Sequence, residues 1–233
     1  PFAVEIKDFT KPVDILAVDV PAGYTTLFVF PYSVGFQFSG FKNLAALNEA
    51  ITKRLKNLGV TTLLFMRHLE LIEYEIKIPG KEASGEYLLD AEPINDHCTR
   101  VSAIESEDDK TDESLSFIKF SMPIDSRVST RTIDVAFTVA TDKEGKTTFQ
   151  KAKNPYISVY FPTETESKLD FIVQGPFRTT PNRSSVPADE EENEALAEQT
   201  AKLLRQSVLE LRDMGLLDLS LIRILPLDED DFD

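Results

Sequence analysis

The stretch from Glu86 to Phe161 constrains the fold most, because it consists of short apolar, β-branched runs separated by polar turns. Runs of this length and composition are typical of strands that pair with their neighbours along the chain. The runs are YLLDAEPI, CTRVSAIES, SLSFIKFSM, RTIDVAFTVAT and YISVYF. The turn DKEG (Asp142 to Gly145) and the acidic stretch ESEDDKTDE (Glu105 to Glu113) are predicted to form solvent-exposed hairpin ends. We therefore expect a mixed or antiparallel sheet in this part of the chain.

Two segments outside this stretch have helical periodicity. The first, from Asn43 to Leu58, places leucine and isoleucine on one face and ends at Gly59. The second, from Asp189 to Met214, has an acidic first turn, which the helix dipole favours, and ends at Gly215. Its stripe consists of Leu196, Thr200, Leu203, Ser207, Leu211 and Met214, and is widened by Leu204 and Val208. This stripe predicts a long helix packed on the sheet.

Further strands are predicted around the first helix. FAVEI, DILAVDV and TTLFVFPY precede it, and they are interrupted by Lys-Pro and Pro-Ala-Gly. After it, Leu71 to Ile78 alternate between polar and apolar residues, which indicates a half-buried strand. A short apolar segment, Leu216 to Leu225, closes the pattern before Pro226. The order of strands, helix, many strands and then helices predicts an α+β fold.

Composition excludes several classes of partner. The net charge is −15 and the sequence pI is about 4.6, whereas nucleic acids and acidic membranes bind clustered positive charge. A single cysteine, Cys98, excludes an internal disulfide and indicates a reducing compartment. No apolar run approaches the length of a membrane span, and no signal-peptide pattern opens the chain. We expect a soluble cytoplasmic protein, and the start at Pro1 suggests a piece of a longer chain.

Motifs for common chemistries are scarce. His97 and Cys98 are adjacent, but no second Cys/His pair follows at metal-ligand spacing, so no metal site is predicted. His68 is interpreted as a structural residue at a strand edge. Leu47 to Arg54, LNEAITKR, superficially suggests the Asn/Glu helix of a Mg-ATP site. That interpretation fails because none of the nine glycines makes the Gly-x-Gly pair such a site needs.

The sequence GPFRTTPNRSSVP, residues 175–187, exposes two arginines just ahead of the long helix. We call it the arginine loop. An arginine fork suits an oxyanion such as a γ-phosphate, and Pro176, Pro181 and Pro187 limit the freedom of the loop. A plainer alternative is that Arg178 and Arg183 pair with the acidic run Asp189 to Glu192. Composition leaves both alternatives open.

Several motifs around this loop form one longer pattern. They are VYFPTE (Val159 to Glu164), QGPFRTTPNR (Gln174 to Arg183), Val186-Pro187 and LRDMGLL (Leu211 to Leu217). The pattern resembles sacsin-like proteins, which are large relatives of the ninety-kilodalton heat-shock chaperone with a GHKL (Bergerat-fold) N-terminal ATPase. LLFMRHLELIEYEI (Leu63 to Ile76) resembles the block that follows the ATPase module in that family. The resemblance covers residues 154–228 and, less closely, residues 25–78.

The resemblance implies a domain organisation and a role for the loop. Residues 1–40 would be the last strands of the ATPase domain, residues 41–228 the middle or transducer domain, and residues 229–233 an acidic tail. In the chaperone family, a middle-domain loop sends a basic residue to the γ-phosphate of ATP. By its place before the helix, Arg183 would take this role, with Arg178 as the second candidate. Asn182 and Thr180 would assist at the nucleotide, and Asn182 could orient either arginine.

The resemblance also implies partners. ATP and Mg²⁺ would be bound by an N-terminal ATPase domain of the same chain upstream of Pro1, so this chain is predicted to be inactive by itself. A protein client would be a further partner. Apart from the resemblance, the widening of the long helix at Leu204 and Val208 leaves two alternatives for the helix from Asp189 to Met214: an element that forms a homodimer or, more plainly, burial in the core. A rival hypothesis from another class is a non-catalytic scaffold that takes partner segments by strand addition at its sheet edges.

Overall fold

The computed structural model describes residue 23 and residues 41–78, 80–107, 110–125, 128–153 and 155–226. The strands predicted in FAVEI, DILAVDV and TTLFVFPY lie outside the described residues, as does the acidic tail at 229–233. The chain divides into two units, Pro1–Ala50 and Ile51–Asp233. The first helix crosses this division, and the strands and the other helices belong to the second unit.

The first predicted helix is confirmed as α1, Leu44–Lys56. Asn43 caps it, since the Ala46 N–H donates to Asn43 Oδ1 at 2.8 Å. Basic residues fill its last turn, where the negative end of the helix dipole favours them. Gly59 then adopts a φ of 85°, which a glycine tolerates without a Cβ penalty. These signals explain why the helix begins and ends close to the predicted positions.

A single sheet contains all the strands of the described residues. In chain order these strands are β1 (Leu71–Ile78), β2 (Lys81–Pro93), β3 (Cys98–Glu107), β4 (Lys110–Asp125), β5 (Val128–Thr141), β6 (Thr147–Gln150), β7 (Tyr156–Val159), β8 (Phe161–Glu166) and β9 (Ile172–Gln174). The order across the sheet is β1-β2-β3-β4-β5-β9-β7-β8, and β6 also pairs with β5. Neighbours are antiparallel except β7 and β9, which are parallel. The predicted mixed sheet is therefore confirmed.

One predicted hairpin end is confirmed, and the other is found at the predicted place but consists mostly of strand. In the DKEG turn, Asp142 Oδ1 accepts from the N–H groups of Glu144 and Lys146 at 2.9 and 2.8 Å, and Gly145 has a φ of 83°. The acidic stretch lies where β3 turns into β4. Its strands pair as far as Glu107 with Lys110, so most of the stretch is strand rather than loop.

The long helix is confirmed as α2, Glu191–Asp213, and a short α3, Leu219–Ile222, follows it. The buried face of α2 consists of Asn193, Leu196, Thr200, Leu203, Ser207 and Leu211. Met214, predicted as part of the stripe, packs half-buried against the same core and forms the C-cap of the helix. Gly215 ends the helix with a φ of 74°, and the Leu216 N–H donates back to the Leu211 carbonyl at 2.8 Å. This geometry is a Schellman motif.

Both faces of the sheet are buried in its middle strands. Phe117 and Ile118 are successive residues of β4 that point to opposite faces, and both are 0% exposed. One face packs against α2 and α3, around Phe137 and its contacts with three other phenylalanine rings. The other face is covered by residues 60–65. The predicted α+β class is confirmed, because the helices pack on a largely antiparallel sheet.

Candidate functional site: the arginine loop

The arginine loop connects β9 to α2, as the sequence predicted, and its beginning is fixed in the core. The Gly175 N–H donates to the Ser158 carbonyl of β7 at 3.1 Å. Phe177 is 8% exposed and belongs to the core that underlies α2. A Cβ on Gly175 would meet the Phe177 ring at 2.8 Å, so the glycine lets this ring fold back over the chain.

Arg178 pairs with the acidic first turn of α2. Its Nε lies 2.6 Å from Glu192 Oε2, and its Nη2 lies 2.8 Å from Glu192 Oε1, which is a bidentate arrangement. This hydrogen bonding raises the pKa of Arg178 and lowers the pKa of Glu192. Both side chains are more than half exposed, so the pair adds little to stability. The plainer alternative of the sequence analysis is therefore confirmed for Arg178.

Asn193, which was not selected from the sequence, joins Arg178 and Pro187 of the loop to α2. Its Oδ1 accepts from the Arg178 N–H at 2.7 Å, and its Nδ2 donates to the carbonyls of Arg178 at 3.1 Å and Pro187 at 2.8 Å. The residue is only 4% exposed. α2 begins at Glu191, two residues after the predicted Asp189, with Glu190 as its N-cap.

Thr180 and Asn182 order the tip of the loop. The Thr180 hydroxyl donates to Asn182 Oδ1 at 2.7 Å, and the same oxygen accepts from the Ser184 hydroxyl at 3.0 Å. The Thr180 N–H donates to the Ser185 carbonyl at 2.9 Å and closes the turn. Among the described residues, Asn182 makes no hydrogen bond to either arginine; it acts on Arg183 only through the turn that carries it.

Arg183 has a different environment from Arg178. It adopts a φ of 60°, and its N–H donates to the Thr180 carbonyl at 2.7 Å. Its Nη2 donates to the Val159 carbonyl of β7 at 3.3 Å. Its side chain lines a cleft of about 220 Å³ with residues of β7, β8 and the loop: Val159, Phe161, Pro162, Thr163 and Thr179. Within the described ranges, no carboxylate lies within 4.0 Å of the guanidinium, so pairing with the acidic run is not found for this arginine.

The loop also covers the outer side of β8. The Glu164 N–H donates to the Ser184 carbonyl at 2.6 Å, and the Val186 N–H donates to Thr165 Oγ1 at 2.8 Å. β8 ends the sheet order, so these bonds supply partners that an edge strand would otherwise lack. Arg183 thus lies between the turn that begins at Thr180 and strand β8.

A second polar cluster lies on β4 and β5, and the sequence analysis missed it. Asp134 is 6% exposed and accepts hydrogen bonds from the hydroxyls of Ser121 and Thr132. Lys119 donates to the Leu64 carbonyl at 3.2 Å. Burial raises the pKa of Asp134 and lowers that of Lys119, and each charge partly offsets the shift of the other. All these groups have partners, so we interpret the cluster as a tie between the sheet and the segment that covers it.

The histidines and the cysteine are not brought together as a site. Cys98 is 0% exposed, and burial raises the pKa of its thiol to about 11. His97 lies in the exposed turn before β3, where Asn95 Oδ1 accepts from its backbone N–H at 2.8 Å. His68 is exposed in a bend before β1 rather than at a strand edge. In the part of the chain that the structure describes, no group of three or more His, Cys, Asp or Glu side chains could hold a metal ion.

Comparison of the chain with protein-family models, with curated proteins and with solved structures gave no match. None of the helices in the described ranges is long and apolar enough to span a bilayer.

Proposed function

We propose that this chain is the middle, or transducer, part of a chaperone-like ATPase of the GHKL class. Arg183 would reach the γ-phosphate of ATP bound in an N-terminal domain of the same protein. The observation that carries this proposal is the contrast between the two arginines. Arg178 is neutralised by a bidentate carboxylate, whereas Arg183 lines a cleft and contacts a backbone carbonyl through one nitrogen.

The chemistry of a guanidinium suits this role. It has five N–H donors and stays protonated, so Arg183 has donors to spare beyond its contact with the Val159 carbonyl. Charge develops on the oxygens of the transferring phosphoryl group, and a fixed cation stabilises that charge without rearranging during the reaction. A carboxylate partner would cancel this effect, and none is found among the described residues. The turn closed by Thr180 and Asn182 supplies the rigidity that such a donor needs.

The remaining chemistry would come from outside this chain. A bound Mg²⁺ would neutralise the phosphate oxygens, and a carboxylate of the ATPase domain would activate the water. The role of this chain would be to bring one cation to the nucleotide when the two domains close. The fragment alone would then be inactive, and the motifs that resemble sacsin-like proteins would describe its position in the longer protein.

The test is steady-state ATP turnover by the full-length protein, by its Arg183→Ala variant and by this chain alone. Removing one donor of this kind costs a factor of about 10² to 10³ in kcat. We expect that loss in Arg183→Ala, a partial recovery in Arg183→Lys, and no turnover by the chain alone. Arg205→Ala is the matched control, because it removes an exposed arginine from α2 without touching the loop. Equal turnover by Arg183→Ala and the wild type would refute the proposal.

A scaffold that binds partner segments by strand addition is the second candidate, and the position of β1 favours it. β1 ends the sheet order opposite β8, within the described strands. The Leu89 N–H donates to the Glu70 carbonyl at 2.7 Å, so these two residues form a hydrogen-bonded pair. Hydrogen-bonded and non-hydrogen-bonded pairs alternate along antiparallel strands, so the backbone N–H and C=O groups of Glu73 and Glu75 point away from β2. If the full-length protein turns over no ATP, a fluorescent β-strand peptide should bind the chain, and Glu75→Pro should abolish binding. Unchanged binding to that variant would exclude this edge.

A further inference from the structure

The carboxamide of Asn193 uses all its hydrogen-bonding groups on the backbone of the arginine loop. Its oxygen accepts from the Arg178 N–H, and its nitrogen donates to the carbonyls of Arg178 and Pro187. A carboxamide has one acceptor oxygen and two N–H donors, so none of its polar groups is left over. The residue is only 4% exposed, so these bonds are made inside the protein rather than in bulk solvent.

The segment between these ties is held together by its own contacts. The Thr180 N–H and the Ser185 carbonyl close the turn, and the Arg183 N–H binds within it. The Glu164 N–H then joins the turn to β8 through the Ser184 carbonyl. The loop is therefore a small unit whose backbone is tied to α2 through Asn193 and to β8 through Glu164 and Thr165.

We infer that Asn193 is the positioning residue for Arg183: by joining Arg178 and Pro187 to the first turn of α2, it sets the distance between the guanidinium and the phosphate. This inference rests on the proposed function of Arg183. The physical reason is that a donor contributes only when it is aimed. A misplacement of about 1 Å far from the reacting atoms can cost about a hundredfold in rate. Asn193 itself touches no nucleotide in this scheme.

A double-mutant cycle in the full-length protein tests the inference, with ATP turnover of the wild type, Asn193→Ala, Arg183→Ala and the double variant. We expect Asn193→Ala to lower kcat about tenfold and to change KM less than about threefold, because the interaction is made in the transition state. In the Arg183→Ala background the same change should lower kcat by less than about twofold. An equal loss in both backgrounds would mean a general structural role and would overturn the inference.

Two further variants separate positioning from loss of stability. Asn193→Asp keeps the acceptor for the Arg178 N–H but cannot donate to the two carbonyls, so we expect a kcat between those of the wild type and Asn193→Ala. Leu203→Val weakens the core under the same helix and leaves the loop untouched; Leu203 is 3% exposed. At a temperature where all variants are folded, it should turn over ATP at the wild-type rate. A comparable loss in Leu203→Val would also overturn the inference.

Amide hydrogen exchange in this chain alone gives a readout that does not depend on ATP. We expect Asn193→Ala to accelerate exchange at Arg183 and Glu164 by tenfold or more, and to leave Ile118 in β4 unchanged. Unchanged exchange at Arg183 and Glu164 would show that Asn193 does not hold the arginine loop in place, whatever the rate of ATP turnover. If Arg183→Ala is fully active while exchange accelerates, the proposed function fails and the catalytic part of this inference fails with it.

Discussion

Replacing Asp218 should weaken the end of the fold where α3 returns to the sheet. Asp218 is the N-cap of α3, and its Oδ1 accepts from the N–H groups of Ser220 and Leu221 at 2.8 and 3.2 Å. The same oxygen accepts from the Ser220 hydroxyl, which in turn accepts from the Phe149 N–H of β6 at 3.0 Å. The Asp218 carboxylate thus caps α3 and also orients the Ser220 hydroxyl that contacts β6.

The expected magnitude follows from these contacts. Replacing an Asp N-cap by alanine costs about 1 kcal/mol and up to about 2 kcal/mol. Because the Ser220 relay to Phe149 is lost as well, we expect Asp218→Ala to lower the free energy of unfolding by about 1.5–2 kcal/mol. Asparagine caps nearly as well as aspartate, so Asp218→Asn should cost about 0.5 kcal/mol. Urea denaturation at pH 7, with equal m values, measures both losses.

The pH dependence provides a second test of the same contacts. The Lys146 ammonium, 2.8 Å from Asp218 Oδ2, and the Ser220 hydroxyl hold the pKa of Asp218 well below its ordinary value of 3.8. A lowered folded-state pKa stabilises the protein above the unfolded-state pKa and loses that stabilisation as the pH falls below it. The stability gap between the wild type and Asp218→Asn should therefore be constant from pH 8 to about pH 5 and shrink between about pH 4 and pH 2. Lys146→Met should reduce this pH dependence and keep the cap, because the Ser220 hydroxyl still lowers the pKa of Asp218.

A stability of Asp218→Ala equal to that of the wild type at pH 7 would refute the capping argument. A gap between the wild type and Asp218→Asn that stays constant down to pH 2 would refute the electrostatic part alone. The cap uses Oδ1 and the ammonium contacts Oδ2, so Lys146→Met removes one contact of the carboxylate and leaves the other. Lys146 is exposed, so its variant should not change the core.

Two further predictions concern the core and the end of α2. Cys98 should resist a thiol reagent at pH 8 in the native chain and react fully in urea, because it is 0% exposed and burial raises its pKa to about 11; rapid native labelling would contradict this. Gly215→Ala should lower the free energy of unfolding by about 1–2 kcal/mol, because the φ of Gly215 is 74° and the space around it is open, so the cost comes from the backbone conformation. Gly215→Asn should cost less, because asparagine tolerates this conformation better. Thermal or urea unfolding measures both variants, and equal losses would show that the left-handed conformation is not the cause.

The elements themselves could be predicted from the sequence because their signals are local. The stripe of α2 from Leu196 to Leu211 and the alternation of β1 follow the period of each element, and Gly59 and Gly215 mark where helices end. The pairing of β9 between β5 and β7 could not be predicted in this way. It is set by contacts between segments that are far apart in the chain.

Asn193 illustrates why the residue that ties the arginine loop to α2 was not predicted from the sequence. It lies in the acidic run EENE, which has the composition of a solvated helix start, and that composition concealed its burial. Its burial could nevertheless have been predicted, because residues at positions i and i+3 share a helix face and Asn193 precedes Leu196 of the buried stripe by that spacing. Asp134 gave a similar signal, since it shares the face of Ala136 on β5, although its partners Ser121 and Lys119 come from another strand. Only the tertiary structure supplies such partners.

The distinction between the two arginines depends on the turn that separates them. With 40 acidic against 25 basic residues, an exposed arginine in this chain has many carboxylates to meet, and Arg178 meets Glu192. Arg183 does not, because its left-handed φ of 60° is set by the turn on Thr180 and its side chain runs back to the Val159 carbonyl. A left-handed conformation is costly for a residue with a Cβ. The loop therefore carries a strain at the position where it keeps a cation away from the acidic helix, which is the arrangement an anion-binding arginine needs.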